Sequence, residues 1–396
     1  MNTQAAQSAG STSLRVLVVH NAYQQRGGED AVVADEVALL RANGHAVTQY
    51  LRHNDEVTGM SRLALGRDTV WSPRTSHDLT ALIADFRPDV VHVHNSFPLV
   101  SPAVYWAAAS AKVAVVQTLH NFRLICPQAQ LLREGRVCED CVGQMPWRAV
   151  VHRCYRGSAL QSAAAAGLLQ LHRMAGTWRN KVSLYIALNA FCRDKFIQGG
   201  LPAERIRIKP NFVDLPAPVV QPRAGFLFVG RFSHEKGLHV LAQAMRRLGA
   251  DVRLYAAGSG PDEGLLDNTP GVHRLGALPP ASVYAQMAQR LALVLPSIWY
   301  ENFPRTLVEA YACGLPVIAS RLGAMTSLVQ DGRTGLLFEP GDEHDLAAKL
   351  AWAQANPQAM RQMGENARRH YEAELTGAAN HEQLLAIYAE ARAAVK

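Results

Sequence analysis

The sequence predicts an α/β protein made of two doubly wound parallel-sheet domains, and three observations carry that prediction. The chain has 396 residues, room for two or three domains at about 100–200 residues each. Apolar residues make up 48%, enough to fill more than one core. Short β-branched runs alternate with helix-length segments, and this series breaks near residue 210 and then restarts. Such a rhythm is that of parallel strands joined by crossover helices.

In the first series, Leu14–His20 (LRVLVVH) is a strand, QQRGGED is a glycine loop, and Asp30–Ala42 is a helix. That helix has apolar positions at Val33, Val37 and Leu40 and stops at Asn43-Gly44. Ala46–Leu51, Asp89–His94 and Lys112–Leu119 are further strands. The second series opens with the strand Gly225–Gly230, the loop RFSHEKG and the helix Leu238–Leu248. The strands Val252–Ala257, Leu291–Leu295, Pro316–Ser320 and Gly335–Phe338 complete it, and Asn380–Val395 is the last helix. The expected domains are 14–211 and 212–375, hinged at Lys209-Pro210-Asn211-Phe212, with 376–396 packing back on the first.

The formal charge of +7 is uneven. Residues 1–212 hold 23 basic and 15 acidic side chains (+8), and residues 213–396 hold 17 and 18 (−1). Between Cys141 and Arg193 no acidic residue occurs. Composition excludes a disordered chain, a collagen and a disulfide mini-protein, and suggests an anionic partner for the first half. The polar residues 1–13 resemble a loose tail, not a signal peptide, and no run reaches the roughly 20 apolar residues of a membrane span. A cytoplasmic protein is expected, with cysteines as thiols or metal ligands. Cys138 and Cys141 form a C-x-x-C near Cys126 and Cys154. Such spacing suits a structural zinc within an insertion at about 123–181, or four unrelated thiols, two of them in a turn. Basic and aromatic residues alternate there: Trp147-Arg148, Arg153, Tyr155-Arg156, Trp178-Arg179. They fit an anionic lipid surface, or a solvated arginine-rich face. No nucleic-acid motif accompanies the charge.

Ligands of open α/β sheets bind at the carboxyl ends of the strands. A dinucleotide dehydrogenase is a poor fit, because Gly258-Ser259-Gly260-Pro261 is followed by Glu263 where the fingerprint needs glycine. Residues 295–320, LPSIWYENFPRTLVEAYACGLPVIAS, are more informative. Pro304 suits a helix start and Gly314 its exit. The amides of Arg305, Thr306 and Leu307 would then form an anion site for a nucleotide diphosphate. Glu309 would take ribose hydroxyls, and Glu301, in an aromatic loop with Asn302 and Phe303, would face it across the phosphates. Two surface carboxylates are the alternative, but apolar neighbours flank both.

Glu301 and Glu309 form an E-x7-E that resembles the signature of retaining GT-B glycosyltransferases of family 4. FVGRFSHEKG, AAGSGP, HRLGALP, DGRTGLLFEPGD, RGGED and TLHN resemble other segments of that family. The resemblance implies a GT-B fold of two Rossmann-like domains facing across a cleft. It also implies donor contacts from Gly27, Gly28, Arg231, Lys236, Gly276, Leu278, Asn302, Phe303, Thr306, Leu307 and Glu309. His120 and Glu301 would be catalytic, although His120 also fits a structural role at a strand end.

The implied activity is metal-independent transfer of a hexose from a UDP- or GDP-linked donor to a glycan or lipid-linked glycan, as in polysaccharide biosynthesis. No cofactor is required, and peripheral attachment to the inner face of the cytoplasmic membrane is expected. A nucleotide-sugar epimerase of the same architecture and a non-catalytic membrane- or glycan-binding scaffold are the alternatives.

Overall fold

The structure, a computed structural model, describes residues 13–25, 27–216 and 221–395. Residues 1–12 of the tail expected over 1–13, and Arg26 of RGGED, lie outside these. Two compact units are present. The first runs to Gln117 and adds Lys181–Ser183 and the chain from Tyr388 onward. The second comprises Thr118–Asn180 and Leu184–Ile387.

The first unit holds strands β1 (Arg15–Ala22), β2 (Ala46–His53), β3 (Val90–Asn95) and β4 (Ala114–Thr118) in the order β2-β1-β3-β4. Each pair is parallel. β1 and β3 read as near-continuous apolar runs because both faces are covered, and all six residues of β3 are buried. Strand order reverses between β1 and β3, where Asn21 at the end of β1 ties the two together. Its carbonyl accepts from Asn95 Nδ2 at 2.9 Å and its Oδ1 accepts from Leu99 N–H at 2.8 Å.

The helix after β1 begins at Gly28, two residues before the expected Asp30, because Gly27 caps it. The Asp30 carboxylate reaches back to the Gly27 N–H at 2.7 Å and to His20 Nε2 at 2.8 Å, so the glycine loop is fastened to the strand. Beneath it, Glu36 Oε1 lies 2.9 Å from His92 Nδ1 and 3.3 Å from His94 Nε2. The Tyr388 hydroxyl is 2.7 Å from the same His92 nitrogen. All four side chains are buried, so these polar groups face one another where water does not reach. Burial, with His92 alongside, pushes the His94 pKa down to about 3.

The second unit contains a hairpin of β5 (Leu132–Arg133) and β6 (Arg136–Val137), then the parallel pair β7 (Leu184–Ala187) and β8 (Ile206–Ile208). Its main sheet is all parallel: β9 (Phe226–Val229), β10 (Leu254–Ala257), β11 (Val272–Gly276), β12 (Ala292–Leu295), β13 (Val317–Ser320) and β14 (Gly335–Phe338). The order β11-β10-β9-β12-β13-β14 is the doubly wound order of a Rossmann-like sheet, and it reverses between β9 and β12.

Helix Leu238–Leu248 has the expected bounds. It buries Leu238, Leu241, Ala244 and Met245 against Phe226, Phe228 and Leu254. Each such leucine contributes roughly 1.5–3 kcal/mol by leaving water. Both units thus carry the parallel sheets that the sequence predicts. β7, β8 and β11 were not expected. The first two are too short to show a period, and β11 is an edge strand whose exposed His273 and Arg274 read as loop.

Candidate active site

The reversal between β9 and β12 dictates where a site forms in the second unit, since the loops leaving these strands diverge there. The loop after β9 is Gly230–Gly237, ending in the short turn His234–Lys236. The loop after β12 is Pro296–Pro304. Gly237 joins them: its φ is +72°, and a Cβ there would lie 1.8 Å from the Pro296 carbonyl oxygen. Only glycine permits both that conformation and that approach. Ile298 N–H donates to the Glu235 carbonyl at 3.0 Å, a second tie.

Glu301 is the centre of this junction and is 7% exposed. Its Oε1 accepts from Lys236 Nζ at 2.6 Å, Ser297 Oγ at 2.7 Å and Trp299 Nε1 at 3.0 Å. Burial alone raises the pKa of the Glu301 carboxyl. The charge of Lys236 and the three hydrogen bonds outweigh burial and hold it below the usual carboxylate range. Lys236, read from the sequence as a diphosphate contact, is therefore also the partner of Glu301. The ammonium is partly exposed and has three protons to share. Arg231 is exposed.

The next helix is Arg305–Ala312, and Pro304 occupies its N-cap in extended backbone, one residue before the expected position. Leu307 N–H closes on the Pro304 carbonyl at 3.1 Å and so leaves the expected anion site. Arg305 and Thr306 remain to supply its amides. Glu309 is 7% exposed, accepts from Arg305 Nε at 2.8 Å, and has the Tyr284 hydroxyl at 3.4 Å. Phe303 is buried in the core below, and Asn211 Nδ2 reaches its carbonyl at 3.3 Å. The Asn302 carbonyl accepts from Asn189 Nδ2, while its own Nδ2 is buried with no acceptor.

The Gly258–Pro261 turn lies on the β9 loop. A Cβ on Gly258 would fall 1.9 Å from the Gly230 carbonyl oxygen, and one on Gly260 2.3 Å from that of Phe232. These glycines serve close backbone packing, not a phosphate fingerprint. Gly276 is exposed at φ +67°, and Leu278 packs against the core cluster that includes Leu307. His120 is half-buried two residues past β4. Gly27 and Gly28 belong to the first unit, and no side chain lies within 4 Å of a Cβ built on Gly28.

Cys126, Cys138, Cys141 and Cys154 line one small cavity with Arg133 and Asp140, so the structure brings the four residues to one place. Burial, with Cys126 and the other two thiols, pushes Cys141 up to about 11. Around this cavity the expected basic-aromatic pattern is split. Trp147 stands exposed, whereas Trp178 is buried and so belongs to the interior. The sequence reading also missed Glu139, inside the C-x-x-C. Its Oε1 accepts from the Tyr300 hydroxyl at 2.8 Å, next to Glu301 in the chain. Burial and then Glu139 raise Tyr300 to about 12. Nothing in the spacing of residues 139 and 300 signals that contact.

The chain matches two family models: "Glycosyltransferase Family 4" over residues 26–216 and "Glycosyl transferases group 1" over residues 219–370. It is 25% identical to glycogen synthase of Mycobacterium tuberculosis over 351 residues, 84% of this chain and 71% of that protein. It is 32% identical over 189 residues to the phosphatidyl-myo-inositol mannosyltransferase of Mycobacterium leprae, covering 44% of this chain and 50% of the relative. Among solved structures, sucrose-phosphate synthase from Thermosynechococcus elongatus superposes with a TM-score of 0.71 at 20% identity, over 96% of this chain and all of that one. Anabaena HepE in complex with UDP-glucose gives 0.64 at 18% identity, over 94% and 98%. The two matched ranges hold every strand of the parallel sheets except β1, together with the Lys236–Glu301 junction, and the chain belongs to glycosyltransferase family 4, with its GT-B fold.

Proposed function

We propose that this glycosyltransferase uses a nucleotide-diphosphate sugar, UDP- or GDP-linked, and transfers the hexose with retention to a glycan or lipid-linked glycan. The Lys236–Glu301 pair at the strand-order reversal, with its carboxylate buried, supports this reading. Cleaving a sugar–diphosphate bond places negative charge on the leaving oxygen. Exposed Arg231, the remaining protons of Lys236 and the first amides of the Arg305–Ala312 helix meet that charge without needing a bound metal. Glu301, kept ionised, faces the positive character that develops on the sugar. Glu309 takes ribose hydroxyls, Gly276 and Leu278 border the base, and Asn302, Phe303 and Thr306 shape the floor. Gly27 and Gly28 offer backbone amides to the donor, and His120 orients its sugar. The expected division of the chain at residues 211 and 375 assigns the acceptor to the first domain and the donor to the second.

Thermal stabilisation by UDP and GDP tests the donor assignment. A nucleotide at 100 times its dissociation constant adds roughly 2.7 kcal/mol. A melting temperature that no nucleotide moves overturns the reading. Conversion of the donor sugar without transfer would favour the epimerase alternative.

The four cysteines are proposed to hold a structural zinc, since the four residues border one cavity and four thiolates are a tetrahedral ligand count. The same insertion is proposed to rest on an anionic membrane. Met145, Trp147, Val151, Leu160, Leu171 and Met174 stand exposed among its arginines, a mixture that suits a lipid headgroup boundary. Among the described residues no helix is long and apolar enough to cross a membrane. Flotation with anionic but not zwitterionic vesicles is the expected result.

A further inference from the structure

We infer that Glu139, in the turn between Cys138 and Cys141, is a positioning residue for the transferase site, holding the Glu301 loop through Tyr300. The inference rests on the function proposed above. The two acids of this C-E-D-C turn face different ways. Asp140 stays within the insertion, paired with Arg133 at 2.7 Å and Arg148 at 3.6 Å. Glu139 reaches out, accepting from the Tyr300 hydroxyl at 2.8 Å and from Lys195 Nζ at 2.7 Å.

The Tyr300 ring is gripped as well. It packs edge-on to Phe191 with centroids 4.7 Å apart, and Gly323 leaves it room, because a Cβ there would lie 2.6 Å from Tyr300 Cδ1. Tyr300 is thus fixed at both its hydroxyl and its ring, one residue before the carboxylate that takes three hydrogen bonds.

A second contact reaches the other loop of the site. The tip of the β5–β6 hairpin is Gly135, and a Cβ on it would come 2.9 Å from His234 Nε2. His234 starts the turn that ends in Lys236. The insertion that carries the cysteines therefore abuts both loops whose side chains form the Lys236–Glu301 pair. An error of about 1 Å in a reacting group costs on the order of 100-fold in rate, so a brace of this kind bears on catalysis without touching substrate.

The test uses the full chain with Glu139→Gln, Tyr300→Phe and the double substitution. Tryptophan is replaced by fluorotryptophan, and the Trp299 fluorine resonance is assigned by Trp299→Phe. Each single substitution is expected to shift that resonance and to lower kcat about tenfold, with donor KM changed less. The double variant should be no worse than the worse single, and melting temperatures should stay within a few degrees. An unmoved Trp299 resonance, or fully additive losses, overturns the inference. The resonance is read without any nucleotide. A chain that bound neither UDP nor GDP would defeat the transferase reading, while the positioning role would still be decided.

Discussion

Lys236 Nζ and Glu301 Oε1 are 2.6 Å apart, an ion pair between loops 65 residues distant in sequence. It stands where the strand order of the second sheet reverses, and it keeps a buried carboxylate ionised beside a partly exposed cation. Replacing Glu301 by Gln removes the charge and keeps the shape. Transfer should fall by about 100-fold or more, the scale of losing one preorganised electrostatic group. Glu301→Ala should also cost about 1–3 kcal/mol, because Ser297 and Trp299 lose their acceptor. Steady-state kinetics and urea denaturation read the two effects separately, and full activity in Glu301→Gln would defeat the assignment.

Gly237 is the hinge pin of the same site. Alanine there meets a left-handed backbone and the Pro296 carbonyl at 1.8 Å. The backbone term alone costs about 1 kcal/mol, and relieving the overlap separates the two loops. Gly237→Ala should lower the melting temperature and abolish nucleotide-induced stabilisation. Unchanged stabilisation would show that the loops tolerate separation.

Acid should weaken the fold in two steps. The pKa of His94 is near 3 when folded and about 6.5 when unfolded, so the unfolded chain binds more protons as pH falls between these values. Stability is lost over that window, with a slope of up to about 1.36 kcal/mol per pH unit. His45 and His239 shift the same way through burial and add to the slope. Glu301, lowered in the folded state, contributes only below about pH 4.3, where the unfolded carboxyl takes up protons. Melting curves from pH 7 to pH 5 should therefore decline, and His94→Gln should flatten that decline.

One zinc per chain is the expected metal content, released by a thiol-blocking mercurial and lost in Cys141→Ser. Limited proteolysis of that variant should cut first in the insertion, where a bound metal would be the missing tie. Metal-free purified protein with an intact insertion would leave the cysteines as thiols.

Much of the second unit was legible in the sequence because its signals are local. Leu238–Leu248 shows a clear apolar stripe and a glycine at each end. The E-x7-E marks two carboxylates flanked by apolar side chains, and both are buried. What was hidden depends on distance along the chain. Lys236 reads as a phosphate ligand until the fold places it on Glu301. Glu139 reads as a solvated acid in a turn until Tyr300 meets it. His92 and His94 look like the polar end of a strand, yet Glu36 and Tyr388 enclose them, a network that no spacing of residues 36, 92 and 388 announces. Pro304 was misplaced by one residue because proline fits both the cap and the first turn.

The turn Gly258–Gly260 lies backbone against backbone on residues 230–232. The backbone that carries Arg231 is consequently held from two directions, by its own loop and by the plank beneath it. Bending that loop would require the neighbouring turn to bend as well, because backbone meets backbone at both glycines. Under the proposed function, selectivity among sugars is thus left to side chains that project from a fixed deck, and a change of donor is a change of fittings upon it.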